Sequence, residues 1–169
     1  MKEYIKMVSV LTAIATVCGF FLAALNKGTE KRIEEQELFY VKAPAVNRVL
    51  ETSTNDLIQD RKEITINDRK HVVFIGKKND EPWAISFESS SPGFGGDIGV
   101  MIGYDLKNDT LTGIGILVHK ETPGLGARVS ELSFTNNFKD KSISDKFTIK
   151  KDGGAVDAVS GATISSRGV

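Results

Sequence analysis

Residues 99–119 read GVMIGYDLKNDTLTGIGILVH, two apolar runs rich in Val and Ile around a polar stretch, LKNDT, at 106–110. Apolar, β-branched segments interrupted by Asn-Asp favour strands joined by a chain reversal, so this segment predicts an antiparallel hairpin. Working outward, HVVFIG (71–76) and PWAISFE (82–88) predict further strands before it, and FTIK (147–150) a late one after it. Pro44 suits the first turn of a helix in which Val46, Val49 and Leu50 recur at helical spacing. A short helix is predicted over 128–138, using Val129, Leu132 and Phe138. Neither a repeat nor a low-complexity tract interrupts 44–169. That stretch is expected to be one compact α+β domain with an antiparallel-rich sheet.

The N-terminal part has a different character. MVSVLTAIATVCGFFLAALN (7–26) holds no charged residue and is bounded by Lys6 and Lys27. About 20 residues at 1.5 Å rise span roughly 30 Å, the hydrocarbon thickness of a bilayer. A cleaved signal peptide has an apolar region of about 7–15 residues, shorter than this run, although FLAAL is a weak cleavage candidate. An uncleaved single-pass anchor is the reading adopted, with 1–6 as a cytoplasmic N-terminus. Residues 27–43, KGTEKRIEEQELFYVKA, carry dense mixed charge and read as a solvated helical extension of the anchor. Lys2, Lys6 and the terminal amine favour a cytoplasmic N-terminus, while Lys27, Lys31 and Arg32 oppose it. Long domains translocate largely regardless of charge, which puts the folded domain on the extracytoplasmic side.

Charge and composition exclude several functions. The chain balances 22 Lys and Arg against 22 Asp and Glu. Setting aside Lys2, Lys6 and Glu3, the part after residue 26 carries one more acid than base and no Lys/Arg block, so nucleic acid is not an expected partner. Cys18 is the single cysteine, which rules out an internal disulfide and reads as a small hydrophobe in an apolar run. His71 and His119 lie far apart without metal-ligand spacing, so no metal site is expected.

Three polar stretches could carry chemistry. GFGGDIG (93–99) and GLGARV (124–129) each begin G-x-G, but neither completes a dinucleotide fingerprint, and SPGFGG (91–96) reads as a flexible turn. HKETPGLGAR (119–128) follows a strand directly, so it is a loop held at the edge of a sheet. Pro123 fixes φ, and Gly124 and Gly126 allow backbone N–H groups to approach a ligand. Leu125 between them either packs inward or lies against a flat aromatic ligand. DAVSGATISSRGV (157–169) is either a polar tail or a place where Thr163 is modified. No GxSxG elbow surrounds Ser160, Ser165 or Ser166, so an anchored hydrolase would depend on His119 and Glu121 reaching a hydroxyl in the fold. No catalytic residue is assigned.

ETPGLG followed by D-x-x-S-G-A-T-x-S-S, after an apolar anchor and GFGGDIGVMIGYD, resembles the FMN-binding domain of membrane electron-transport complexes. The likeness is strongest to the G subunit of the Rnf-type ferredoxin:NAD oxidoreductase, with the C subunit of the sodium-translocating NADH:quinone oxidoreductase as its relative. The resemblance covers the whole chain in outline. It implies FMN held covalently by a phosphoester to Thr163, with Ser160, Gly161 and Ala162 around it and Asp157 recognised by a separate Mg²⁺-dependent flavin transferase that uses FAD. It implies further that Glu121, Thr122, Gly124, Leu125 and Gly126 hold the flavin, and that Glu121 tunes its reduction. The partners it implies are the other membrane, iron-sulfur and flavin subunits of an ion-pumping complex, in which a single anchor relays electrons and moves no ion itself. The family usually continues into a further helical stretch where this sequence stops at Val169, which implies a short member or an incomplete chain. A non-redox anchored binding domain is the reading from another class.

Overall fold

The computed structural model describes residues 1–66 and 68–169. They divide into two compact units, Met1–Leu38 and Phe39–Val169. The first unit is dominated by α1 (Lys2–Glu37), which contains the apolar run 7–26 and continues through the charged residues after it. Among the described residues, the helix beginning at Lys2 is the one long and apolar enough to cross a membrane. It buries no side chain against protein: Val8, Leu11, Phe20 and Leu22 are all exposed, as is Cys18. Apolar surface on every side suits hydrocarbon surroundings rather than a soluble interface.

In the second unit a π-helical turn ends at Lys42 and leads into α2 (Ala43–Val49), with Pro44 in its first turn. Among the described residues five strands follow: β1 (Arg61–Ile66), β2 (Arg69–Lys78), β3 (Glu81–Pro92), β4 (Asp97–Asp105) and β5 (Thr110–Val118). They form one antiparallel sheet in the order β1-β2-β3-β4-β5. The domain is α+β.

Turn chemistry fixes the registers. Asn79 and Asp80, at φ 52° and 65°, join β2 to β3 with Lys78 opposite Glu81, the left-handed pair that a two-residue hairpin requires. Between β4 and β5, Asp105 Oδ1 accepts hydrogen bonds from the backbone N–H of Lys107 (2.8 Å) and Asn108 (3.0 Å), and the chain turns back through Asp109. The hairpin predicted over 99–119 is this β4–β5 pair.

Around β4 and β5 both faces of the sheet are covered. On one, α2 buries Val46 and Val49, and a Cβ added at Gly103 would lie 3.0 Å from the Val49 Cβ. On the other, Ile98, Val100 and Ile114 pack with Val129, Phe134, Phe138 and Val156. This second layer lies under the loops that follow β5.

Two local expectations change. The helix predicted over 128–138 is broken into a 3₁₀ turn (Gly126–Ser130), α3 (Leu132–Thr135) and another 3₁₀ turn (Asn136–Phe138). Glu131 is extended, at φ −71° and ψ 148°, which resets the helical phase. Leu132 is therefore 59% exposed and Phe134 takes the buried position. Segment 147–150 does not join the sheet: Ile149 is buried and bridges Val156 in parallel, then the 3₁₀ turn Lys150–Asp152 reverses the chain at Gly153, φ 80°.

Candidate functional site

Three segments meet beyond the ends of β3 and β5: the connection from β3 to β4, the loop after β5, and α4 (Thr163–Gly168). The loop after β5 is shaped by its own residues. Leu125 N–H donates to Thr122 O (3.2 Å), closing a turn whose central residues are Pro123 and Gly124. Gly124 has φ 73°, the left-handed value demanded at the third position of a type II turn. The turn leaves Leu125 46% exposed, so the inward-packing alternative does not hold; its side chain lies over Gly161.

Between these segments is a cleft of about 280 Å³. Glu121, Thr122, Leu125 and Gly126 line it from the loop. From the opposite side come Gly161, Ala162 and Thr163, joined by Ile164 and Ser165. Phe94 closes the third side. Phe94 (69% exposed), Leu125 and Ile164 (49%) give the cleft an apolar rim open to solvent. Thr163, half-buried at the start of α4, makes no side-chain hydrogen bond to the described residues, so its hydroxyl is available.

Glu121 organises this junction. It is 5% exposed, and a buried carboxylate is tolerated only where donors surround it. Its Oε1 accepts hydrogen bonds from the backbone N–H of Phe94 and Gly95, both at 2.9 Å. Its Oε2 accepts one from Ser165 Oγ at 2.5 Å. The Ser165 hydroxyl foremost, then the two backbone N–H groups and the nearby His119, hold the carboxyl below its usual range against the opposing effect of burial. Gly126 permits the closeness: a Cβ there would sit 2.5 Å from Glu121 Oε2 and 2.8 Å from Ser165 Oγ.

Not every residue singled out from the sequence reaches the cleft. Gly124 shapes the turn but does not line it. Ser160 and Asp157 line a separate groove with Arg128, Glu131 and Asn137. Asp157 pairs with Lys150 (2.6 Å), and its backbone N–H donates to Asn137 Oδ1 (3.3 Å). Phe94, Ile164 and Ser165 were not picked out as cleft residues by sequence reasoning. Phe94 carried a signal, being an aromatic side chain between glycines in an otherwise polar turn. Ser165 and Ser166 are only 2% and 3% exposed, and both hydroxyls are committed, Ser165 to Glu121 and Ser166 to Ala162 O (2.9 Å). Neither is an accessible nucleophile.

Comparison with known proteins bears on the same region. A family model described as an FMN-binding domain matches residues 93–169, which include all three walls of the cleft. The G subunit of an ion-translocating oxidoreductase complex from Shewanella amazonensis is 34% identical over 185 residues, covering 98% of this chain and 83% of that protein. Its namesake from Escherichia coli strain K12 is 36% identical over 160 residues, covering 87% and 76%. Among solved structures, the C subunit of the Na⁺-translocating NADH-quinone reductase from Parabacteroides distasonis is 26% identical with a TM-score of 0.49, covering 68% of this chain and 60% of that one. Both relatives exceed 30% identity over most of their own length, and the Shewanella subunit matches nearly the whole of this chain; on that basis the chain belongs to the family of G subunits of ion-translocating oxidoreductase complexes.

Proposed function

We propose that the chain is a membrane-anchored electron carrier of an Rnf-type complex, with FMN joined through its phosphate to Thr163 Oγ1 and electrons relayed between ferredoxin and NAD. One observation carries this reading: the uncommitted Thr163 lines a cleft whose rim, formed by Phe94, Leu125 and Ile164, is apolar and open to solvent. The residues fit the group. Phe94, Leu125 and Ile164 offer apolar surface to a flat ring, while Gly161 and Ala162 keep the approach to the hydroxyl clear of bulk. Names of the relatives and the FMN-binding domain match support a flavin-bearing redox subunit within a larger membrane complex.

When bound, the flavin supplies reversible electron uptake, and the protein's task is to hold and orient it. A threonine hydroxyl with no adjacent base is a poor nucleophile by itself. Attachment therefore requires a separate flavin transferase acting on FAD. The Thr163 Oγ1–phosphorus bond forms as the pyrophosphate bond breaks; AMP departs with the bonding electrons, and the hydroxyl proton passes to a base of the transferase. Asp157 and Ser160, on the neighbouring groove, are read as recognition context for that enzyme. A tether suits a domain on the extracytoplasmic side, where a lost cofactor is not readily replaced. The equivalent subunit of a quinone reductase and a non-redox binding domain are the competing readings.

The intact mass of the denatured chain, after co-expression with an active flavin transferase, tests the reading. Wild type is expected to gain the mass of FMN less one water, and Thr163→Ala to gain nothing. An unmodified wild type, with the transferase proven on another acceptor, would leave an anchored domain without a redox role. In the modified protein, the charge of Glu121 is expected to disfavour electron uptake by a nearby ring. Glu121→Gln should then raise the midpoint potential, and an unchanged potential would remove the tuning role.

A further inference from the structure

We propose that Glu121 is a positioning residue for the modification of Thr163, acting through Ser165, a role that rests on the tether reading above. Helix α4 has only six residues, too few to hold its own conformation in water. Its placement must come from what it docks against. The Arg167–Asp152 ion pair (2.7 Å) and the Ser166 hydrogen bonds tie it to residues 152–162 on its own side of the cleft. Among the described residues, the Ser165–Glu121 bond is the side-chain hydrogen bond that fastens it across to the loop after β5. The same carboxylate holds the β3–β4 connection through Phe94 and Gly95. One residue thus sets the spacing of all three walls.

The chemistry of the group suits this task. An ionised carboxylate only accepts, so three donors converge on it and each is fixed in direction. Ser165 must point its proton at Glu121, which commits a competing hydroxyl in the cleft. Two positions earlier, on the same short helix, Thr163 is left facing the open volume. Phosphoryl transfer to a hydroxyl is sensitive to the position of that oxygen, and a displacement of about 1 Å can cost on the order of 100-fold in rate. Releasing Ser165 frees α4 to shift by such a distance without unfolding the sheet.

The test follows flavin transfer to the full-length chain in detergent, with purified transferase, FAD and Mg²⁺, as a function of acceptor concentration, with the modified residue mapped by peptide mass spectrometry. In S165A and E121A, kcat is expected to fall by about tenfold or more while KM for the chain changes by less than about threefold. Glu121→Gln accepts both backbone N–H groups through Oε1 and donates to Ser165 through its amide, so it should restore most of the rate lost in E121A. S165A removes a single hydroxyl and decides the matter if E121A fails to fold. Wild-type kcat in S165A, a defect confined to KM, or Gln performing as poorly as Ala would each overturn the positioning role. A wild-type chain that takes no flavin would instead overturn the tether reading itself, so the two failures are distinct.

Discussion

Gly95→Ala is expected to lower the melting temperature of the domain by roughly 10 °C. A Cβ at this position would stand 2.1 Å from the backbone oxygen of Lys120, 2.8 Å from its carbonyl carbon and 3.3 Å from the Glu121 Cα. All three are main-chain atoms, so no side-chain rotation relieves the clash and one of two loops must move. Overpacking of this kind costs about 3 kcal/mol. Movement of either loop also breaks the Gly95 N–H bond to Glu121, which leaves a buried carboxylate short of a donor. The damage therefore falls on the cleft as well as on stability. Thermal unfolding of the full chain in detergent, followed by circular dichroism, measures it. A melting temperature within about 2 °C of wild type would mean that the two loops are free to separate.

Phe134→Ala is expected to destabilise the domain by about 3–5 kcal/mol, the usual range for deleting a buried aromatic ring. Phe134 is 3% exposed and meets Phe138 edge to face at 5.6 Å between ring centroids, while Phe138 stacks on Phe147 at 6.3 Å. These rings form the layer that seats the broken helical segment 126–138 on Ile98, Val100 and Ile114. Residue 126 begins that segment, so a cavity beneath it loosens the loop lining the cleft. Trp83, the single tryptophan, lies on β3 away from this layer and gives a fluorescence signal for urea unfolding. A loss below about 1 kcal/mol would show that the aromatic layer does not anchor the segment.

The parts of the fold that could be read from sequence are those whose pattern is local. Strands β2 to β5 announce themselves because each has buried positions, and Asn-Asp marks two of the three reversals between them. Strand β1 went unpredicted for the converse reason: all six of its residues are exposed, including Ile64 and Ile66, so no buried face imprints an alternation. Leu132 looked like a core position because it continued the phase of Val129, and the extended Glu131 between them carries no strong sequence mark. The ETPGLG and SGAT stretches could be picked out as motifs, and residues of both, Thr163 among them, line the cleft. The partner of Glu121 was not, since 44 residues separate it from Ser165 and no periodicity connects them.

The strand order equals the chain order, so every ladder in the sheet joins segments adjacent along the polypeptide. Closing such ladders involves short loops and small entropic penalties, which favours early and rapid formation. The cleft is the opposite case, because its walls come from residues near 94, 121 and 163, far apart along the chain, and the third wall belongs to the six-residue α4. A chain with a finished sheet but an undocked C-terminal segment has two of the three walls and no seated threonine. With the attachment proposed above, modification of Thr163 would report the docking of α4: a molecule in which that helix has not docked does not present the hydroxyl in place and stays colourless.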